Sequence, residues 1–306
     1  MISNLTPSGD AFVANMNRVQ RRMEKATQET TSGLRVNSPS DAPEEVVAIL
    51  QIRTDSARNQ QIASNLGLAK TDADAADSAL TEAAKLLDRA RALGAQGANY
   101  TLDAAGRTSI ASEIEGILEQ MVSISRTSVQ GRYIFGGDDD GNPPYQLDLG
   151  AATGVDRLTT APATRRLEDP AGGSFPVAKT AGEIFDARNP DDSPSTSNVF
   201  VALSAMRTAL LNNDVPGING AIGLIQTAGI HLGVSQGFYG NVLSRIEDAT
   251  NYGQSYDVQL KTQLSQKVDA DITQAAMMLT QSNTQLQAAF QMQARMPHTS
   301  LFDFLG

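Results

Sequence analysis

The five residues Gly233–Gly237 match G-x-S-x-G, a pattern typical of nucleophilic catalysis. In serine hydrolases this pattern places the serine on a sharp strand-to-helix turn within reach of a histidine. Here Ser235 lies inside a stretch whose apolar residues repeat at helical spacing, and the one histidine downstream, His298, follows Pro297 near the end of the sequence. Small side chains also let a neighbouring helix approach closely. We therefore interpret Ser235 as part of a helix contact, and His231 as an ordinary residue on a helix face.

Oxygen-bearing side chains cluster at Asp138–Asn142, where a hard cation such as Ca²⁺ could find ligands. An EF-hand loop starting at Asp138 would need glycine at its sixth position and a bidentate carboxylate at its twelfth, but Pro143 and Leu149 stand there. We therefore expect a solvated acidic turn. The chain has no cysteine and two histidines, which removes most metalloenzyme architectures. The sequence predicts no enzyme, no cofactor and no metal site.

Basic side chains lie on one segment near the start of the chain, namely Arg18, Arg21, Arg22 and Lys25. Such a segment could bind nucleic acid or a membrane surface. Acidic residues are interspersed at Glu24 and Glu29, however, and the whole chain carries a formal net charge of -10. No run approaches the 18 or so apolar residues of a membrane span. We predict no nucleic acid partner and no membrane insertion, and we interpret this segment as a face that meets acidic neighbours in an assembly.

The first 30 residues predict a helix that feeds a coiled coil, because apolar and small residues recur at spacings of three and four. They are Ile2, Leu5, Gly9, Phe12, Met16, Val19, Met23, Ala26 and Thr30. A break follows at 33–43. Asp41 is a candidate N-cap, with Pro43 and Glu44 in the first turn, so the second helix is predicted to begin near Pro43.

The second helix is predicted to run without a stop to Gly97, roughly 80 Å at 1.5 Å per residue. A third helix is predicted from the period that starts at Ile110, and Gly131–Gly137 reads as a short strand or turn leaving the bundle. Helical periodicity returns at Val199. It then continues with some phase slippage to Ala289.

The segment between these helical regions, 138–194, differs in composition. Seven of the twelve prolines fall there, and residues 138–193 carry eleven acidic and five basic side chains. Its apolar residues come in short groups. We predict short strands and loops that form a small β-rich insertion domain.

Together these segments predict a mainly α protein, an elongated rod of long antiparallel helices with a small β-rich insertion domain. Aromatic residues make up 5% of the chain and tryptophan is absent, which suits long thin helices. Three domains are predicted: a terminal coiled coil (1–42 plus 262–306), a helical bundle rod (43–137 plus 195–261), and the insertion (138–194). Isolated terminal helices would leave their stripes poorly buried, so we expect packing against other subunits to order them.

Three motifs resemble the bacterial flagellin superfamily. Residues Ser32–Pro43 resemble its N-terminal signature S-G-x-R-[IV] with the Ser/Asp turn that follows, Gly131–Gly137 is similar to G-R-Y-x-F-G-G at the exit from the third helix, and Ser300–Leu305 resembles S-L-[LF]-D-[YF]-L. The signature positions are Ser32, Gly33, Arg35, Pro39, Asp41, Pro43, Gly131, Arg132, Tyr133, Phe135, Gly136 and Gly137. The resemblance covers about 1–137 and 198–306.

Two groups of this superfamily share the motifs: flagellins, which build the filament, and hook–filament junction proteins. Pro39 and Pro43 look more like the junction proteins, whereas Leu34 is the choice common in flagellins. The resemblance implies a structural adaptor at the tip of the flagellar hook, joining hook to filament by helix packing. The implied partners are copies of itself in a ring or tube, another hook-associated protein, flagellin and an export chaperone. The implied location is the extracellular flagellum, reached by type III export without a cleaved signal peptide.

The stripes of both ends and the apolar tail are the predicted assembly interface: Phe12, Met16, Val19, Met23, Leu279, Leu286, Ala289, Leu301 and Phe302. Three other interpretations remain open. The chain could be the filament subunit itself, and a non-flagellar coiled-coil adhesin or an enzyme is not excluded by the residues alone.

Overall fold

The structure is a computed structural model that describes residues 7–294, and it is mainly α, which confirms the predicted class. The described residues form seven helices: α1 (Pro7–Ser32), α2 (Val46–Gly97), α3 (Ala104–Ser125), α4 (Ala181–Ile184), α5 (Val199–Leu211), α6 (Val215–Val268) and α7 (Ile272–Ala294). The six strands are β1 (Ser128–Val129), β2 (Arg132–Tyr133), β3 (Tyr145–Leu147), β4 (Val155–Arg157), β5 (Arg166–Glu168) and β6 (Ser174–Pro176). They pair as three antiparallel two-stranded ladders, β1-β2, β3-β4 and β5-β6.

The described residues divide into two compact units, 7–58 with 256–294, and 59–255. In the first unit, α1 packs on α7. This unit also contains the start of α2 and the end of α6. The division into three domains remains a prediction.

The second unit has one continuous apolar core. Leucine, isoleucine and alanine side chains of α2, α3, α5 and α6 supply most of it. The helices come close where glycine replaces a side chain: a Cβ on Gly94 would lie 2.3 Å from Met206 Cε, and one on Gly97 2.4 Å from Leu210 Cδ2. Gly97 also ends α2, as predicted.

Local caps explain where several helices of this unit start. Asp103 accepts a hydrogen bond from Gly106 N at the start of α3, and Asn198 from Val201 N at the start of α5. Thr180 and Glu183 form a reciprocal capping box on α4.

The segment 138–194 contains β3 to β6 and α4, in keeping with the short strands and loops predicted from its composition. Its apolar side chains join the core of the second unit, because Tyr145, Phe175 and Phe185 are buried in the same cluster as α2 and α6. Edge-to-face contacts between aromatic rings attach the segment to this core. The Phe135 ring lies 5.7 Å from Phe185 and 6.3 Å from Tyr239, both in T-shaped geometry.

Two predicted helix boundaries are wrong. The second helix begins at Val46 and not near Pro43, and Asp41 does not cap it, because its carboxylate accepts backbone N–H groups that precede it. The helical period predicted as continuous to Ala289 is broken between Val268 and Ile272. The heptad stripe continues through this break, so periodicity alone could not reveal it.

Candidate assembly interface

The pair α1/α7 carries the two predicted stripes. On α1 the half-buried residues Phe12, Met16, Val19 and Met23 lead to Ala26, which is fully buried. The corresponding residues of α7, at spacings of four and three, are Ala275, Leu279, Ser282, Leu286 and Ala289. All other described residues of α7 are exposed, so these five form the side that packs on α1.

The structure therefore brings seven of the nine predicted interface residues together within one chain. The other two, Leu301 and Phe302, lie outside the described residues. Contact between this seam and a second subunit remains a prediction.

A second surface of α7, not predicted from the sequence, faces solvent. Met277 is 61% exposed and Met292 69%, and Ile272, Met278 and Phe290 are also largely exposed. From Ile272 to Ala294 the helix contains no aspartate, glutamate, lysine or arginine. A water-facing helix normally carries charge on its outer side, so an uncharged outer side with exposed methionines is typical of a surface that another protein covers. The missing charges were the signal available in the sequence.

The first signature segment folds back on the end of α6. Gly33 has φ +73, which favours glycine, and its N–H donates to Glu29 O at the end of α1 (2.9 Å). Leu34 and Asp269 form an isolated antiparallel bridge. The backbone N–H of Arg35 donates to Val268 O at 2.7 Å, and that of Ala270 donates to Gly33 O at 2.9 Å.

The side chain of Arg35 extends this contact. Its Nη2 donates to Lys267 O at 2.6 Å and lies 3.3 Å from Glu45 Oε2. The last carbonyls of a helix have no partner inside the helix. Two of those at the end of α6, on Lys267 and Val268, accept from this one residue.

Asp41 organises the loop itself. Its Oδ2 accepts from Ser38 N at 2.6 Å and Asn37 N at 2.9 Å. These hydrogen bonds, that from Ser38 first, hold the pKa of the Asp41 carboxyl below its ordinary value. The Ser32 hydroxyl accepts from Leu34 N at 3.1 Å, while Pro39 and Pro43 are exposed.

The second signature segment begins as a tight hairpin. Gln130 and Gly131, with φ of +53 and +78, are the two central residues between β1 and β2, a combination typical of the turns that match strand twist. Arg132 of β2 lies 3.3 Å from both Asp72 Oδ2 of α2 and Asp140 Oδ2. Tyr133 N donates to Asp140 O at 2.8 Å. The hairpin is thus tied to α2 and to the acidic turn.

The remaining signature residues anchor the exit of the chain. Phe135 is buried. Gly136 and Gly137 admit no side chain: a Cβ would lie 2.7 Å from Asp139 O and 2.5 Å from Pro162 O, and Gly137 has φ +67. The structure thus gives both signatures structural roles, as loop and turn geometry.

The candidate nucleophile lies in the middle of α6 with its hydroxyl buried. Ser235 is not on a strand-to-helix turn, because α6 runs unbroken from Val215 to Val268. His231 Nε2 lies 2.8 Å from Glu183 O, and His298 is outside the described residues.

The carboxylates of Asp138–Asn142 bind separate partners. Asp138 accepts from Thr164 N and Oγ1, Asp139 from Asn142, and Asp140 pairs with Arg132. Within residues 7–294 no three metal-ligating side chains are grouped for an ion. No helix in that range is long and apolar enough to cross a membrane.

A buried polar network that the sequence did not indicate joins residues of the insertion to Asn198 at the start of α5. Asp186 is 2% exposed and accepts from Tyr145 Oη (3.0 Å), Arg188 Nε (2.9 Å) and Asn198 Nδ2 (2.6 Å). Burial, reinforced by the Asp186 carboxylate, raises the pKa of the Tyr145 phenol far above its ordinary value. A cavity of about 430 Å³ adjoins this network. The polar groups of the network hydrogen-bond to one another, as expected of a network that fixes one packing arrangement.

Comparisons with known proteins agree with the signatures. Residues 2–140 match the bacterial flagellin N-terminal helical region, and residues 222–305 match the bacterial flagellin C-terminal helical region. Flagellar hook-associated protein 3 of Salmonella typhimurium is 24% identical over 307 residues, covering 92% of this chain and 93% of that protein.

Solved structures share the fold. Flagellar hook-associated protein 3 from Legionella pneumophila superposes with a TM-score of 0.62 at 14% identity, covering 71% of this chain and 98% of that one. FlgL of Bacillus cereus superposes with a TM-score of 0.55 at 21% identity, covering 72% of this chain and 100% of that one. The chain belongs to the bacterial flagellin family.

Proposed function

We propose that the protein is a structural subunit of the junction between the flagellar hook and the filament. The observation that carries this proposal is the alignment with flagellar hook-associated protein 3 along 92% of the chain, which is more than the two flagellin regions cover. Copies of the chain assemble at the hook tip. They bind another hook-associated protein on one side and flagellin on the other.

The first unit has a surface suited to assembly. Its last helix presents uncharged, methionine-rich surface to solvent, which would stabilise a complex if a neighbour covered it. The half-buried seam residues of α1 and α7 have apolar area left to bury as well. In this proposal the acidic insertion is left on the outside of the assembly, and the protein reaches the flagellum by export without a cleaved signal peptide, assisted by a chaperone.

The filament subunit itself is the alternative function, favoured by Leu34 in the first signature and by the family match. Seeded polymerisation separates the two. Purified chain incubated with short flagellin filament seeds should add no long filament if it is a junction subunit. Filaments many micrometres long, built from this chain alone, would establish the alternative.

The surface of α7 can be tested in the same preparation. Met277→Glu combined with Met292→Glu places two charges on the proposed contact surface, and we expect it to reduce binding to isolated hook structures at least tenfold. Tyr100→Glu, in the exposed turn after α2, is the matched control and should bind as the unaltered chain does. Equal binding by all three proteins would refute the role of α7.

A further inference from the structure

Two breaks in the helices lie side by side in the first unit. The chain leaves α1 at Ser32 and enters α2 at Val46, and it leaves α6 at Val268 and enters α7 at Ile272. Residues 33–36 and 268–270 are joined by three backbone hydrogen bonds and one antiparallel bridge. We call this joined pair of segments the clasp.

The break in α6/α7 is not explained by its own residues alone. Asp269-Ala270-Asp271 contains neither proline nor glycine, the residues that break helices most strongly. Asp271 starts α7, because its Oδ1 accepts from Thr273 N (2.9 Å) and Gln274 N (3.0 Å). A cap of this kind is worth about 1 kcal/mol and does not by itself end the preceding helix.

Arg35 supplies the missing contribution. Its backbone and its side chain donate to the carbonyls of Val268 and Lys267, which would accept from residues 272 and 271 if the helix continued. Its cation also lies at the negative end of the α6 dipole, where positive charge is stabilising. Glu45 holds the guanidinium in place at 3.3 Å, and Lys267 Nζ lies 4.0 Å from the same carboxylate.

We propose that Arg35 is the positioning residue that ends α6, and that its side chain is the group that separates α7 from it. With Arg35 in the clasp, α7 starts as an independent helix that packs on α1. Without the Arg35 side chain, residues 269–271 become helical, and α6 and α7 merge into one helix, so that α7 loses its separate start beside α1. Only the consequence for assembly rests on the proposed function, since the break itself is a property of the free chain.

The direct test is the conformation of residues 269–271 in the full-length protein, read from backbone carbon chemical shifts by NMR. In the unaltered chain they should be non-helical. In Arg35→Ala they should shift to helical values. The Ala270 amide, which donates to Gly33 O in the unaltered chain, should then change its hydrogen-exchange rate at least tenfold. Arg35→Lys, which keeps a cation able to reach Lys267 O, should restore most of the break. Arg21→Ala, on the exposed side of α1, is the control and should leave these signals unchanged.

Other outcomes overturn the proposal. Residues 269–271 that stay non-helical in Arg35→Ala show that the Arg35 side chain does not end α6. Merging in Asp271→Ala but not in Arg35→Ala assigns the break to the cap. If Arg35→Ala does not fold, Glu45→Ala, which removes one partner of Arg35, must show a smaller shift of the same signals, and no shift refutes the role. All these readouts use the free chain, so they stand or fall separately from the junction function.

Discussion

Arg107, near the start of α3, provides the clearest stability prediction. It is 5% exposed, and its guanidinium donates to Gly97 O (2.8 Å), Asn99 O (2.9 Å) and the Asn213 side chain. One residue thus joins the turn after α2 to the turn after α5. Among residues 7–294 no carboxylate pairs with it, so the carbonyl groups at the end of α2 are its main electrostatic partners.

Replacing Arg107 by alanine leaves these acceptors without a donor. Hydrogen bonds to a charged group contribute about 1.5–3 kcal/mol each, and unsatisfied buried acceptors are costly. Relief from burying the cation and entry of water at the two partly buried acceptors offset part of the loss. We expect Arg107→Ala to lower the free energy of unfolding by about 3 kcal/mol, and Arg107→Met, which keeps the apolar stem, by about 2 kcal/mol.

Urea denaturation followed by circular dichroism measures this change. Arg89→Ala is the matched control, because Arg89 also links α2 to α3, through Glu113 at 3.1 Å, but is largely exposed. We expect that control to lose less than about 1 kcal/mol. A loss for Arg107→Ala no larger than for Arg89→Ala would refute the reasoning.

Three further predictions concern glycine geometry and pH. Gly137→Ala should destabilise the second unit by about 3 kcal/mol, because the new side chain would have to adopt φ +67 and its Cβ would lie 2.5 Å from Pro162 O. Gly116→Ala, at a helical position with open space around it, should stabilise the same unit by about 0.5–1 kcal/mol. Equal thermal unfolding midpoints for the two variants would contradict this prediction. Since hydrogen bonds depress the pKa of Asp41, its contribution is present above the ordinary carboxyl pKa and is lost as pH falls through the lower folded value. The Asn37 and Ser38 amide signals should therefore move together in acid, and in Asp41→Ala that movement should be absent. Burial raises the pKa of the Tyr239 phenol to about 12. The contribution of this neutral phenol to the free energy of unfolding is therefore fully present below the unfolded pKa near 10 and is lost as pH rises through about 12. Tyr239→Phe should lessen that alkaline loss, and an unchanged profile would count against the assignment.

The sequence was sufficient for the helical class and for the pairing of the terminal stripes, because a heptad repeat such as Phe12, Met16 and Val19 is a local pattern with a direct structural meaning. It also predicted the end of α2 at Gly97, where helix-breaking residues follow the stripe. It could not reveal the break before Ile272, since that break depends on Arg35, more than 200 residues earlier in the chain.

The signature positions show the same limit. Their residue types identified the family, but the partners of Arg35, Arg132 and Phe135 are distant in the chain and became known only with the fold. The wrong role of Asp41 has a simple physical origin. An aspartate before a helix can accept from the following or the preceding backbone, and here the loop that turns back to α6 places Asn37 and Ser38 closer.

Deletion of the gene in the source bacterium tests the junction function most directly. We predict complete hooks without filaments in electron micrographs, with flagellin released into the culture medium, and recovery of filaments when the gene is restored. Filaments of normal length on the deletion strain, in a genome without a second copy, would contradict the proposed function.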